Sequence, residues 1–378
     1  MIREAYGLQT ENIAPAETQA APSPKTVFSD PETLLSSFRQ DLGVLLPDIG
    51  REDCLRLLTK GGKAEKKLPQ ADLTAFDQKV AAWIVKKYQK LADGQILDHT
   101  TFKLSALDLE MIRPVPPGGS WKDIPAQPVQ KSKRLMRIAQ TGGRTTLYGR
   151  IDYARPSYTI TTYFNRPGNG TYVHPVHDRV LSVREAARFQ CFPDTYFFLG
   201  SKRDKLRQIG NAVPVLLAYA IGRSIREKTG CSTSVDLFSG AGGMTYGFKL
   251  AGIRAAVATD IAEPACLTLK VNSPEIPVIC GDITDEATKR AVIQKGIESG
   301  AEIICGGPPC QGFSMAGWRR ENDPRNQLFR PFVDIVSAVG PKVIVFEDVE
   351  GLLSYHGGQT YRDIVALFSE LGYHTMPF

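Results

Sequence analysis

Length, composition and charge bound the kinds of protein that this sequence can be. The chain has 378 residues, 42% of them hydrophobic, and a formal net charge of +6, which predicts two or three domains with buried cores and permits a polyanionic partner without requiring one. Its seven cysteines include no CxxC pair, which argues against a disulfide framework and predicts no metal site. Without a long apolar run or a signal-like N-terminus, we expect a cytoplasmic protein with no membrane segment.

The first part of the chain is predicted to be irregular. Residues 1–28 are rich in alanine and proline and indicate a flexible arm. A capping aspartate before a proline predicts a helix over 30–40, and helical apolar spacing predicts another over 73–91. From 96 to 163, glycines, prolines, basic residues and aromatic residues predict short strands and loops. The basic loops either contact nucleic-acid phosphates or form an ordinary solvated surface.

Local signals then become sharper. Ser182 and Glu185 have the spacing of a capping box, which predicts a short helix. Residues 208–214 predict a tight turn that leads into an apolar helix, and residues 226–234 are predicted to form a polar linker.

From residue 235 onwards, apolar runs of strand length alternate with helical segments. This alternation is typical of an α/β protein with a doubly wound parallel sheet, which binds ligands at the carboxyl ends of its strands. The predicted strands are 235–238, 255–259, 278–280, 303–304 and 343–346.

The first of these strands leads into a glycine-rich turn, residues 239–243. The turn lacks the full dinucleotide-binding pattern and the lysine of a triphosphate-binding loop. Asp260 and Asp282 end the next two strands, where carboxylates commonly bind ribose hydroxyls and an adenine amine, and Phe238 is placed to pack on a purine. These features favour a nucleoside cofactor without phosphates, such as S-adenosylmethionine.

Cys310 follows two prolines at the end of a predicted strand, within Gly-Gly-Pro-Pro-Cys-Gln-Gly-Phe-Ser. The stiff prolines and flanking glycines make this a good position for a nucleophile. A thiol reacts as its thiolate and needs help from its surroundings to ionise near neutrality.

Six motifs with matching internal spacing resemble those of DNA (cytosine-5) methyltransferases of the bacterial modification type. They are DLFSGAGG (236–243), PPCQGFS (308–314), DPR (323–325), EDVEGL (347–352), REAAR with FPD (184–194) and QIGNAVP (208–214). The resemblance covers about residues 100–378. It implies a Rossmann-like, S-adenosylmethionine-dependent catalytic domain and a smaller, loop-rich target-recognition domain that act on double-stranded DNA in restriction–modification.

The resemblance also implies a role for each matched residue. Cys310 would attack C6 of a flipped cytosine, and Glu347 would contact the ring at its N3 side. The remaining matched positions would bind S-adenosylmethionine: Phe238, Ser239, Gly240, Gly242, Asp260, Asp282, Pro308, Asn211 and Val213.

The motifs occur in a different order from that of the family, because those at 184–194 and 208–214 precede the cofactor turn. A circular permutation accounts for this order, since the ends of a compact domain often lie close together. We therefore expect a target-recognition region with a helical N-terminal part at 29–180, C-terminal-type family segments at 181–225, a linker at 226–234 and the cofactor-binding and catalytic domain at 235–378.

Two further departures bear on function. The family's Q-x-R-x-R segment is absent from the sequence, so a second polypeptide is expected to supply it. Asp348 stands where the family usually has asparagine. The alternatives are an RNA cytosine-5 methyltransferase and a catalytically silent DNA-binding fragment, and the recognised DNA sequence cannot be deduced from basic loops.

Overall fold

The computed structural model describes residues 30–59, 73–142, 146–309 and 328–377, so the predicted arm at 1–28 lies outside the described residues. Up to residue 229 the described chain is mainly helical. Its elements are α1 (Pro31–Gly43), α2 (Arg51–Thr59), α3 (Ala75–Ala92), α4 (Ala106–Ile112), α5 (Ala126–Gln130), α6 (Lys133–Thr141), β1 (Gly149–Arg150), β2 (Thr171–Val173), α7 (Val183–Phe189), α8 (Lys202–Gly210) and α9 (Val215–Thr229).

Helices α1, α2 and α3 share one apolar core. Phe38 of α1 and Ile84 of α3 are fully buried in it, and Leu267 and Val271 from the second half of the chain join the same cluster. The predicted cap of α1 is present, because the Asp30 carboxylate accepts hydrogen bonds from two backbone amides of the first turn. The sequence prediction missed α2, which lies between the two predicted helices.

The prediction of short strands over 96–163 was wrong. Within the described residues of that range only β1 is a strand, and α4, α5 and α6 lie before it. Ser105 and Ser132 cap α4 and α6 by accepting a backbone hydrogen bond at the N-terminus of each helix, and such caps favour helix over strand. The three helices and Trp121 enclose a small apolar core of their own.

The capping box at Ser182 and Glu185 is confirmed, with both reciprocal hydrogen bonds present at the start of α7. The predicted turn at 208–214 begins later than expected, because its first three residues end α8. The predicted linker at 226–234 is also shorter, because α9 continues to Thr229 and the next strand begins at Thr233. Only residues 230–232 connect the two.

The second half contains the five-stranded parallel sheet that the sequence predicts. Its strands run in the order β5-β4-β3-β6-β7. The elements are β3 (Thr233–Leu237), α10 (Gly243–Leu250), β4 (Arg254–Asp260), α11 (Glu263–Asn272), β5 (Val278–Cys280), α12 (Glu286–Glu298), β6 (Ile303–Gly306), α13 (Phe329–Val339), β7 (Val343–Phe346) and α14 (Gln359–Glu370).

Helices cover both faces of this sheet, as the continuous apolar strands require. Ile304 of β6 packs with residues of α12, α13 and α14, whereas its neighbours Ile303 and Cys305 pack with α9 and α10. Helix α9, which precedes β3 in the chain, thus forms part of one layer of the sheet domain. Among the described residues, none of the helices combines the length and the apolarity that crossing a membrane requires.

Candidate active site

The site lies where the strand order reverses. β3 is bonded to β4 on one side and to β6 on the other, so the loops after β3 and β6 leave the sheet in opposite directions and open a crevice between them. In doubly wound sheets this switch point is the usual ligand site. The glycine-rich turn follows β3 and the Gly-Gly-Pro-Pro segment follows β6, so both predicted motifs border one crevice.

The glycine-rich turn is held tightly to its neighbours. Phe238, just after β3, has a left-handed backbone with φ of 56°, and Gly242, which caps α10, has φ of 86°. The Ser239 amide donates to the Thr259 carbonyl at 2.9 Å. A Cβ at Gly242 would overlap Leu269, and a Cβ at Gly240 would meet nothing within 4 Å. The turn is thus packed on its inner side and open at Gly240.

Asp260 ends β4 beside this turn. Its Oδ2 accepts from the Gly240 amide at 2.8 Å, and its Oδ1 accepts from the Ala262 amide at 2.8 Å. Burial raises the pKa of Asp260, although the backbone amides oppose that shift. Asp260 therefore fixes the turn to β4, a structural role that the sequence prediction had not included.

Asp282 follows β5, the next strand. It is exposed, and its Oδ1 accepts from the amide and hydroxyl of Thr284 at 2.9 and 2.7 Å. Because Asp260 and Cys280 are register partners in β4 and β5, Asp282 lies at the same edge of the sheet as Asp260. The two carboxylates predicted to hold a nucleoside are thus brought to neighbouring strand ends.

Glu347 follows β7 and lies against the segment that leaves β6. Its amide donates to the Gly306 carbonyl at 2.9 Å, and a Cβ at Gly307 would overlap its Oε2. A side chain at 307 would therefore force this carboxyl group to move. The residue as a whole is exposed, but its carboxyl group is shielded enough that desolvation raises the pKa of Glu347.

Pro308 is buried beside Gly307. Cys310, the predicted nucleophile, lies outside the described residues.

The turn between α8 and α9 reaches the crevice from the first half of the chain. Val213 contacts the start of α10 so closely that a Cβ at Gly243 would overlap its carbonyl oxygen. Asn211 ends α8 in the same turn and is exposed. The structure therefore brings this predicted turn to the glycine-rich turn, although α8 itself was not predicted.

Sequence reasoning missed Tyr196. Its buried hydroxyl donates to the Ala241 carbonyl, inside the glycine-rich turn, at 2.5 Å, and its ring packs with Phe192 and Phe198. Tyr196 follows the Phe-Pro-Asp motif closely, but its partner is a backbone carbonyl far along the chain. No side-chain pattern in the sequence could have indicated this pairing.

A buried carboxyl group also joins the two elements that flank the glycine-rich turn. Asp236 of β3 accepts a hydrogen bond from the Thr245 hydroxyl of α10. Burial raises the pKa of Asp236 to about 7, and the nearby Asp260 acts in the same direction. The group is therefore partly protonated near neutral pH.

Comparison with known proteins adds independent information. M.AgeI of Thalassovita gelatinovora, a Type II methyltransferase, is 42% identical over 37% of this chain and 33% of its own length. The Type II methyltransferase M1.HphI of Haemophilus parahaemolyticus is 39% identical over 37% of this chain and 38% of its own length. The chain thus spans about a third of the length of these curated relatives.

The model of the C-5 cytosine-specific DNA methylase family matches residues 53–227 and 232–377. These two segments include the glycine-rich turn, Asp260, Asp282 and Glu347, and together they cover most of the chain. The chain belongs to the C-5 cytosine-specific DNA methylase family.

Proposed function

We propose that this chain transfers a methyl group from S-adenosylmethionine to C5 of cytosine in duplex DNA. The observation that carries the proposal is the shared crevice at the switch point. The glycine-rich turn after β3 forms one wall, and the segment from Gly306 to Pro309, which leads to Cys310, forms the other. Glu347 lies against this second wall.

The residues at the crevice fit S-adenosylmethionine. Asp260 and Asp282 offer carboxylate oxygens to ribose hydroxyls and an adenine amine, and the Phe238 ring can stack on a purine. The open space at Gly240 leaves room for a ligand beside the turn. Ser239, Gly242, Pro308, Asn211 and Val213 complete the proposed binding set. When bound, the cofactor supplies an electrophilic methyl group.

The chain's own residues then account for the activation of cytosine. A base inside a duplex must be flipped out before an enzyme can reach it. Attack of the Cys310 thiolate on C6 makes C5 electron-rich, which divides one difficult step into easier ones. A protonated Glu347 donates toward N3 as the adduct forms, and its raised pKa supports that protonation state. Loss of the C5 proton and expulsion of Cys310 restore the aromatic ring.

Methyl transfer from tritiated S-adenosylmethionine to mixed-sequence duplex DNA and to tRNA tests this proposal. With the proposed second polypeptide present, we expect label in DNA, none in tRNA, and none with Cys310→Ala. Label in tRNA alone would favour the RNA enzyme. DNA binding without label, and without a covalent adduct on DNA that contains 5-fluorocytosine, would favour a silent binding fragment.

We also assign DNA contact to the region 29–180, and in particular to α6. Lys133, Arg134 and Arg137 are exposed on this nine-residue helix, which contains no acidic residue, while Leu135 anchors the opposite side in the small core. Cations on one face of an anchored helix suit DNA phosphates.

Changing all three cations to alanine tests this assignment. The change should weaken DNA binding and lower the salt slope of log K by about 0.9 for each lost phosphate contact. Lys79→Ala, which removes an exposed lysine already paired with Glu263, is the matched control. An unchanged slope would place DNA contact elsewhere.

The circular permutation and the second polypeptide complete the proposal. The permutation is supported by α9, which packs on the sheet domain although it precedes β3 in the chain.

Nothing in the comparisons supports a second polypeptide, which stays a prediction. If this chain alone methylates DNA at full rate, the second polypeptide is excluded, whereas activity that appears only after addition of a Q-x-R-x-R-containing protein would support it.

A further inference from the structure

Two cysteine thiols meet at the edge of the proposed cofactor pocket. Cys266 in α11 is fully buried, and its thiol donates to the Asp260 carbonyl at 3.3 Å. The same carbonyl accepts from the Gly281 amide at 3.0 Å, so Cys266 lies against the backbone next to Cys280. Burial raises the pKa of the Cys266 thiol, and the Cys280 thiol lies near enough to act in the same direction.

The two thiols differ in their access to solvent. Cys280 is exposed, and it is the only exposed cysteine among those that the structure describes. An accessible thiol beside a buried second thiol is the arrangement of an oxidisable site with its own resolving cysteine. The proposed methyl transfer uses neither residue.

We propose that Cys266 and Cys280 form a reversible disulfide in response to peroxide, and that this modification weakens cofactor binding.

The chemistry uses hydrogen peroxide as the oxidant. The Cys280 sulfur attacks one peroxide oxygen, the O–O bond breaks, and the other oxygen leaves as water with the thiol proton, which gives a sulfenic acid. The Cys266 sulfur then attacks the Cys280 sulfur, the S–O bond breaks, and a second water leaves with the Cys266 proton. Two electrons pass from the thiols to peroxide, and a dithiol reductant reverses the reaction.

The two steps should differ in rate. Burial raises the pKa of the Cys266 thiol, so less of the reactive thiolate is present for the second step. We therefore expect the Cys280 sulfenic acid to accumulate before the disulfide forms.

The consequence for the cofactor follows from position and rests on the proposed function. The disulfide removes the S–H group that donates to the Asp260 carbonyl and ties α11 to the end of β5. Asp260 pairs with Cys280 across the sheet, and Asp282 follows Cys280 by two residues. Both carboxylates that are proposed to hold the nucleoside thus lie next to Cys280, one across the sheet and one along the chain.

The test treats the full chain with hydrogen peroxide and maps its peptides without reduction. Calorimetry then measures S-adenosylmethionine binding before oxidation, after oxidation and after addition of dithiothreitol. We expect a peptide linked through Cys266 and Cys280 and about tenfold weaker binding, restored by the reductant. Binding is measured rather than activity, because oxidation of Cys310 would also abolish activity.

Two variants provide controls. Cys280→Ser should bind the cofactor like the reduced protein before and after peroxide treatment, because it cannot form the disulfide. Cys191→Ser, which changes a half-buried cysteine outside the pair, should respond to peroxide like the unaltered chain.

The outcomes separate this inference from the proposed function. Oxidation without a linked peptide, or a linked peptide with unchanged cofactor affinity, would overturn the inference. If the linked peptide forms but the reduced chain does not bind S-adenosylmethionine, the proposed cofactor fails and the disulfide itself is supported.

Discussion

The sheet domain and the region before it satisfy their buried backbone groups in different ways. In the sheet domain, β3 and β6 are bonded along both edges to neighbouring strands, and their side chains pack between layers of helices. In the described part of the region before it, the strands are only two and three residues long, and buried arginines take over part of the task. Arg150 donates to the carbonyls of Ile112, Val115, His174 and His177.

Arg184 performs a similar task beside α7. Its guanidinium is fully buried, donates to the Leu97, Pro193 and Tyr196 carbonyls and lies 3.5 Å from Asp98. A planar group with five donors can satisfy several loop carbonyls that no strand reaches. An irregular region can therefore be rigid where it is crosslinked by side chains, and its stability should depend on a few residues.

The largest effect is expected at the catalytic edge of the sheet domain. Glu347→Gln keeps the shape of the side chain but removes the acid, so methyl transfer to DNA should fall by about 10²–10⁴-fold. The rate of tritium transfer measures it. Glu350→Gln, a change of an exposed carboxylate nearby, should leave the rate unchanged. Equal rates for the two variants would remove Glu347 from the proposed mechanism.

The second largest effect should fall on the region before the sheet. Arg184→Ala leaves three buried carbonyls without this donor and removes one of the two cations beside Asp98, so the free energy of unfolding should drop by about 3–5 kcal/mol. Arg188→Ala breaks a half-exposed pair with Asp194 and should cost less than about 1 kcal/mol. Urea unfolding compares the two. Similar losses of unfolding free energy would mean that the buried guanidinium stabilises this region no more than an exposed ion pair does.

The third prediction concerns pH and returns to the sheet domain. The native pKa of Asp236 is about 7, whereas an unfolded aspartate titrates near pH 4, as model peptides do. The native state therefore binds more protons between these values, and stability should fall as pH rises from about 4 to 7, by a few kcal/mol. Asp236→Asn should flatten this part of the profile, measured by urea unfolding across pH. An unaltered slope would assign the dependence to another group.

A smaller effect is expected where the two regions meet. Tyr196→Phe keeps the ring but leaves the Ala241 carbonyl without its donor, which should cost about 1–2 kcal/mol and weaken S-adenosylmethionine binding. Calorimetry and urea unfolding measure the two effects. Tyr153→Phe, at an exposed tyrosine, is the control. Loss of stability with full cofactor affinity would show that the bond supports the fold alone.

The smallest effect is expected at Asp348, whose Oδ1 accepts from the Val349 amide at 2.7 Å. Asparagine can accept the same hydrogen bond, so Asp348→Asn should change the methyl-transfer rate by less than about tenfold. A larger change in the transfer assay would give Asp348 a direct part in the chemistry.

The sequence predicted the secondary structure of the sheet domain better than that of the region before it. All five strands of the large sheet were predicted to within two residues, because buried parallel strands are continuous apolar runs between helices of a different period. The short helices α4, α5, α6 and α8 were missed, because each is too brief to show a period. The serine caps of α4, α6 and α8 were visible in the sequence but were not used.

For the candidate site, local motifs indicated the residue types and their chemistry. They identified the glycine-rich turn, Asp260, Asp282 and Glu347, because turns and strand ends have signatures that depend on adjacent residues. They did not identify Tyr196, the link from Asp260 to Gly240, or the contact of Gly307 with Glu347. Each of these joins residues that are distant in the chain, at least one through its backbone.

The sequence by itself determined the α/β class, the family motifs and the order in which they occur. Only the tertiary structure decided which of these motifs border one crevice, that α9 covers a sheet it precedes, and that Cys266 meets Cys280 beside Asp260. The physical reason is that local backbone preferences are encoded by neighbouring residues, whereas contacts across the sheet depend on the packing of whole layers.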